Sequence, residues 1–189
     1  MKATPLLTGW TCRHLGDTAP GRPVTLSHDA MLAEPRTALS AGGVNTGWYE
    51  GYDYEYQRTL TVPENELSDT HILEFEGVYH NAEVWLNGQK AAFRPYGYTN
   101  FYVDCAPFLR AGDNELRVIA RNADQPNSRW YSGAGLYRPV QLWTAGDKHI
   151  LLNGVRIRTV SLEPAVVEIR VRTSAPGTVQ LMVEGLPTV

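Results

Sequence analysis

Hydrophobic and polar residues alternate with a period of two along most of this chain. The clearest case is GYDYEYQRTLTV, where Tyr52, Tyr54, Tyr56, Arg58, Leu60 and Val62 fall on one face and Asp53, Glu55, Gln57, Thr59 and Thr61 on the other. Successive side chains of a strand point to opposite faces, so this pattern predicts a strand with one dry and one wet face. Pro63 ends it by removing a ladder donor, and ENELSD follows as a polar turn. HILEFEGV predicts a further strand. AEVWLNGQKAAF predicts two strands joined at Asn87-Gly88, because a two-residue hairpin turn needs positive φ at both positions. Trp85 falls on the opposite face from Val84 and Leu86. Phe101 to Val103 reads as another strand and Ala106 to Arg110 as a short helical turn. ELRVIAR then turns Leu116, Val118 and Ala120 inward against Glu115, Arg117 and Arg121. No long segment of period 3.6 interrupts the series. Short strands spaced about 8–12 residues apart, with Gly, Pro and Asn turns, predict an all-β sandwich or jelly roll.

The pattern lapses at RTALSAGGVNTGWYEG, Arg36 to Gly51, which is Gly-rich and aperiodic. Long irregular loops in compact domains commonly carry function, and Trp48 and Tyr49 point the same way. After Trp143, TAGDKH reads as a linker, and LNGVRIRTVSL, PAVVEIRVRT and GTVQLMVEGL predict three more strands. The chain therefore divides into residues 1–145 and residues 146–189. The second segment is too short for a complete immunoglobulin-like sandwich, which takes roughly 100 residues. It reads as the first strands of a domain that stops partway, in a fragment of a longer polypeptide or in a chain whose last strands find partners elsewhere.

Composition narrows the function classes. With 43% hydrophobic residues in 189, the chain can bury a real core. A net charge of −3 gives no basic footprint and argues against a nucleic-acid partner. MKATPLLTGWTCRHL holds too short an apolar run for a signal peptide, and no stretch approaches a membrane span, so a cytoplasmic, non-membrane protein is expected. Cys12 and Cys105 lack metal-ligand spacing and read as buried free thiols; the five histidines also lack ligand spacing. No metal and no cofactor are expected in this chain.

The densest chemistry lies in NSRWYSGAGLYRPVQLW, Asn127 to Trp143, which begins like a loop and ends like a strand. Together with GWYEGYDYEYQRTLTVP, LEFEGVYHNAEVWLNGQ and FLRAGDNELRV, in that order, and with the earlier RPVTLSHDAM, it resembles the N-terminal sugar-binding domain of glycoside hydrolase family 2, the β-galactosidase, β-glucuronidase and β-mannosidase family. The resemblance runs from about Gly9 to Trp143. It implies a galactose-binding-like jelly-roll β-sandwich, then an immunoglobulin-like sandwich, then a (β/α)8 barrel with two catalytic glutamates held about 5–5.5 Å apart. Neither glutamate is expected here. Asn65-Glu66 and Asn114-Glu115 mimic the family's acid/base dipeptide, but both stand in turn contexts without a barrel strand.

The resemblance places Asn127, Ser128 and Arg129 on the loop that reaches from the jelly roll toward the barrel mouth, where a polar side chain can hydrogen-bond a sugar hydroxyl. Some β-galactosidases carry aspartate at about Ser128, a departure that leaves Asn127 or Arg129 to take the contact. Trp130, with Asn45 and Trp48 of the long loop, completes the candidate substrate-binding set; the competing reading makes Trp130, Tyr131 and Tyr137 packing residues. Gly133 and Gly135 suit a tight turn or close backbone approach, and Arg138 suits a carboxylate or carbonyl across a domain boundary. His28-Asp29 reads as a hydrogen-bonded pair and His80-Asn81 as an exposed turn. The expected function is a non-catalytic region of a β-galactosidase-like exo-glycosidase. Its partners would be a carbohydrate, the downstream barrel and, as a further candidate, a second copy of the chain. The alternatives are a stand-alone carbohydrate-binding module and a structural assembly domain.

Overall fold

The structure, a computed structural model, describes residues 1–185. Its regular elements are strands and short 3-10 turns. The strands are β1 (Lys2–Pro5), β2 (Trp10–His14), β3 (Arg22–Val24), β4 (Asp53–Val62), β5 (Thr70–Phe75), β6 (Ala82–Leu86), β7 (Gln89–Arg94), β8 (Phe101–Asp104), β9 (Gly112–Arg121), β10 (Val140–Ala145), β11 (Ile150–Leu162) and β12 (Ala165–Thr173). By contact the chain falls into two compact units. One is Ala3–Thr144; the other is Met1, Lys2 and the chain from Ala145 onward.

The first unit is a β-sandwich. One sheet has the order β3-β2-β4-β9-β6-β7 and the other β1-β10-β5-β8. Trp10, Tyr54, Tyr56, Val84, Leu86, Leu116 and Val118 of the larger sheet share one buried cluster with Leu73, Phe75, Val103 and Val140 of the smaller. Burying large apolar and aromatic side chains at about 25 cal/mol per Å2 is what holds two such layers together. Along β4 the alternation places Tyr54, Tyr56, Leu60 and Val62 inside, as the pattern predicts. The turn between β6 and β7 is Asn87-Gly88 with φ of 49° and 78°, the geometry its sequence demands. Cys12 and Cys105 are free and buried, and burial raises their thiols to about 11 and about 12.

Several local expectations need correction. Glu55, on the wet face of β4, is 3% exposed, because Arg13 from β2 and Arg117 from β9 close over it as ion pairs. Neighbouring strands supply cover that alternation within one strand cannot reveal. Asn114 lies inside β9 rather than in a turn. It is fully buried, and it accepts from the Arg110 amide at 2.8 Å and donates to the carbonyls of Arg110 and Gly112 at 2.8 and 2.9 Å. Local side-chain to backbone bonding is thus its role, as the dipeptide's context suggested. Residues 106–110 form a hydrogen-bonded turn, with Phe108 and Leu109 both bonding back to the Cys105 carbonyl.

The second unit contains the antiparallel pair β11 and β12, joined at Glu163-Pro164. The third strand expected there, GTVQLMVEGL, does not form over residues 177–185, and Leu186 lies outside the described residues. A strand exists through its ladder partner, and propensity alone does not supply one. Ile157, Leu162 and Val167 of the pair are 67%, 81% and 53% exposed.

Candidate functional site

The chemistry gathers at loops of the first unit, on a strap of residues 122–137 that returns from β9 toward β10. The strap is held mainly by residues far away in sequence. Asp29 accepts from the Met31 amide at 3.1 Å and the Ala134 amide at 3.0 Å through Oδ1, and from the Tyr131 hydroxyl at 2.6 Å through Oδ2. The His28 and Ala30 amides donate to the Leu136 and Ala134 carbonyls, and Tyr79 and Gly135 exchange both backbone bonds. Gly133 and Gly135 have φ of 69° and 91°, and a Cβ there would lie 2.7 Å from Asp29 Oδ2 and 2.1 Å from the Tyr56 hydroxyl. The Gly-Ala-Gly therefore lets the strap press onto Asp29 and Tyr56, which no larger side chain permits.

His28 and Asp29 do not bond one another as a pair. Asp29 turns to the strap, while His28 Nδ1 meets the Tyr56 hydroxyl at 2.8 Å. His80 is half-buried rather than an exposed turn, and its Nε2 lies 3.1 Å from Asn127 Nδ2. Burial lowers the pKa of both imidazoles, so each is neutral near pH 7. Burial likewise raises the pKa of Tyr79, as do burial and the Asp29 hydrogen bond for Tyr131, which keeps both phenols protonated as donors.

The six predicted site residues fall into two groups. Asn127 to Trp130 lie on the strap. Asn127 braces it: Oδ1 accepts from the Tyr79 hydroxyl at 3.1 Å, and Nδ2 meets Asn122 Oδ1 at 2.8 Å and the Asp124 carbonyl at 3.0 Å. The Ser128 hydroxyl donates to the Trp130 carbonyl. Arg129 is exposed and has no side-chain partner among the described residues. Trp130 is 61% exposed, which rules out the core-packing reading for it, and its indole donates to the Tyr98 hydroxyl at 3.0 Å. Tyr137 does pack: it is half-buried and donates to the Gly97 carbonyl at 2.8 Å. Arg138 reaches the Tyr98 carbonyl inside the same unit rather than across a boundary.

Asn45 and Trp48 belong to the 36–51 loop, which is built around a 3-10 turn, Gly43–Thr46, and an Arg36–Tyr49 bridge. Trp48 is 45% exposed and Asn45 half-buried. This loop meets the strap where the Tyr49 and Tyr131 rings approach to 6.1 Å. Asp29, Tyr79 and Tyr98 were not legible as site residues, because nothing local marks a side chain whose partner lies 32 to 105 residues away. The arrangement offers a free guanidinium and exposed rings on a rigid base, suited to hydrogen bonding and stacking on a polyhydroxyl ligand. Asp29, the carboxylate at its centre, is occupied by three donors. Among the described residues no cluster of His, Cys, Asp or Glu could hold a metal, and no helix is long and apolar enough to cross a membrane.

Known proteins share this architecture. β-Galactosidase BoGH2A of Bacteroides ovatus is 37% identical over 161 residues, covering 79% of this chain and 19% of that protein. The crystal structure of a β-glycosidase from Bacteroides vulgatus superposes with a TM-score of 0.82 at 27% identity, over 95% of this chain and 25% of that one. A glycosyl hydrolase family 2 member from Bacteroides cellulosilyticus gives 0.76 at 27% identity, over 85% and 23%. The chain thus spans about a fifth to a quarter of the length of these proteins. The family pattern described as glycosyl hydrolase 2 galactose-binding domain-like matches residues 10–160, and the chain belongs to that family.

Proposed function

We propose that these 189 residues are the N-terminal, non-catalytic region of a cytoplasmic family 2 exo-glycosidase of β-galactosidase type. The strap shapes the sugar pocket, and the acid/base and nucleophile glutamates come from a barrel further along the polypeptide. The second unit begins the immunoglobulin-like sandwich between them. The observation that carries this reading is the build of the strap: Asp29 and Tyr79 fix it, Asn127 braces it, the Trp130 ring is left exposed, and the Arg129 guanidinium has no partner among the described residues. Preorganised donors of this kind contribute about 0.5–1.5 kcal/mol per hydrogen bond to a sugar, and without a paired acid and nucleophile they cannot cleave a glycosidic bond.

The test begins with the reading frame beyond Val189. The expected result is a continuation into a sandwich and a barrel with two glutamates; a stop codon there overturns the proposal. In the longer enzyme, Arg129→Ala is expected to raise KM for an aryl β-galactoside several-fold with assembly unchanged. Unchanged kinetics would remove the strap from the pocket.

A further inference from the structure

The segment that anchors the strap also walls a separate cavity. While Asp29 faces Tyr131 and Ala134, its neighbours His28, Ala30, Ala33 and Glu34 line a cavity of about 390 Å3 against β2, β3 and β4. That volume lies within the roughly 300–1,000 Å3 of small-molecule sites. None of the six candidate residues of the strap and the 36–51 loop contributes to it.

Its polar groups are held in place and keep capacity to spare. The Glu34 side chain is 7% exposed; its Oε1 takes His14 Nε2 at 2.8 Å and the Tyr54 hydroxyl at 3.4 Å, and Oε2 has no partner among the described residues. His14 is itself fixed by stacking on Tyr52 at 4.2 Å. His28 is tied through Nδ1 to Tyr56, which leaves Nε2 without a partner among the described residues, and burial keeps the ring neutral. Arg13 is committed to Glu55, so Arg22 is the cavity's uncommitted guanidinium, in a lining that also holds Asp17 and the Glu34–His14 pair. Neither sign of charge prevails, which disfavours an ionic ligand. Val24, Pro23, Ala30 and Ala33 give the remaining wall an apolar surface suited to the C–H face of a ring.

A fixed carboxylate oxygen that accepts hydroxyls, a guanidinium that donates to them and an apolar stretch of wall together match a neutral vicinal polyol. We infer that this cavity is a second saccharide site, taking one neutral hexose unit between Glu34, Arg22 and His28. The inference stands whether or not the strap binds sugar.

The test is a two-dimensional amide NMR titration of the 189-residue chain with D-galactose, D-glucose and glycerol. Saturable shifts at Arg22, Ala30, Ala33 and Glu34 are expected with a hexose and weaker ones with glycerol. At these four amides Glu34→Gln should weaken hexose binding about tenfold or more and Arg22→Ala several-fold. Arg22 is exposed, so its variant reads the site even if Glu34→Gln fails to fold. No saturable shift up to about 100 mM hexose, shifts confined to residues 122–137, or cavity shifts that survive both cavity variants would overturn the inference.

Discussion

The strap 122–137 and the loop 36–51 are both aperiodic, Gly-containing and aromatic, yet they are ordered by opposite means. The loop is stitched to itself: Ser40 and Thr46 hydroxyls donate to the Tyr49 carbonyl at 2.7 and 3.0 Å, and Trp48 bonds back to Gly43 at 2.8 Å. The strap is stitched to the far parts of the sandwich, through Asp29, Tyr56 and Tyr79. Self-stitched loops can loosen alone, whereas a strap tied to the core loosens only with the core. The strap is therefore the more rigid platform, and rigid placement is what a binding contact needs.

Substitutions can break that contrast in graded steps. The largest effect is expected from Gly135→Ala, where a Cβ would lie 2.1 Å from the Tyr56 hydroxyl at a φ of 91°. Overpacking and left-handed strain together predict a loss of about 3 kcal/mol or more, measured by urea denaturation. Asp29→Ala removes an acceptor from three donors and should cost about 2–3 kcal/mol. Hydrogen exchange should quicken at residues 131–136 while the 43–49 amides keep their protection; equal quickening in both would erase the distinction between the loops. Thr46→Val, which removes a buried hydroxyl from the loop's internal stitching, is expected to cost about 1 kcal/mol and to leave the strap's exchange unchanged.

Acid offers a gentler probe. Burial lowers the folded-state pKa of His80 below the ordinary 6.5, so the unfolded chain takes up that proton first. The stability it supports is full above the unfolded value and declines as pH falls through 6.5 toward the folded pKa. Thermal melts should show that decline, reduced in His80→Gln; an unreduced slope would place its origin elsewhere, for instance at His28. The smallest effect is expected from Arg129→Ala, within about 0.5 kcal/mol in stability, since its side chain is exposed and makes no hydrogen bond, ion pair or ring contact among the described residues.

What the sequence disclosed follows the same division. Period-two segments such as β4 and β9 were legible because alternation encodes which face is buried, and Asn87-Gly88 because its turn encodes backbone angles. Alternation could not disclose that Arg13 and Arg117 cover Glu55, since cover belongs to neighbouring strands. Nor could it say whether a third strand would form after β12, since pairing needs a partner and not only a propensity. Four site residues stood out as a motif on the strap, but the tie of Asp29 to Tyr131 and Ala134 could not be read from the HDAM that carries it. Its importance is written only in three dimensions.

The tie between Asp29 and the strap also sets a timetable for the molecule. Its two strap bonds close over 102 and 105 residues, among the most distant pairings in the unit. Such closures come late, because the entropy of the intervening chain must be lost before they return any gain. On a ribosome, Asp29 must wait without its strap partners until Tyr131 and Ala134 have left the exit tunnel. A chain released before that point would keep its early hairpins and lack its binding end.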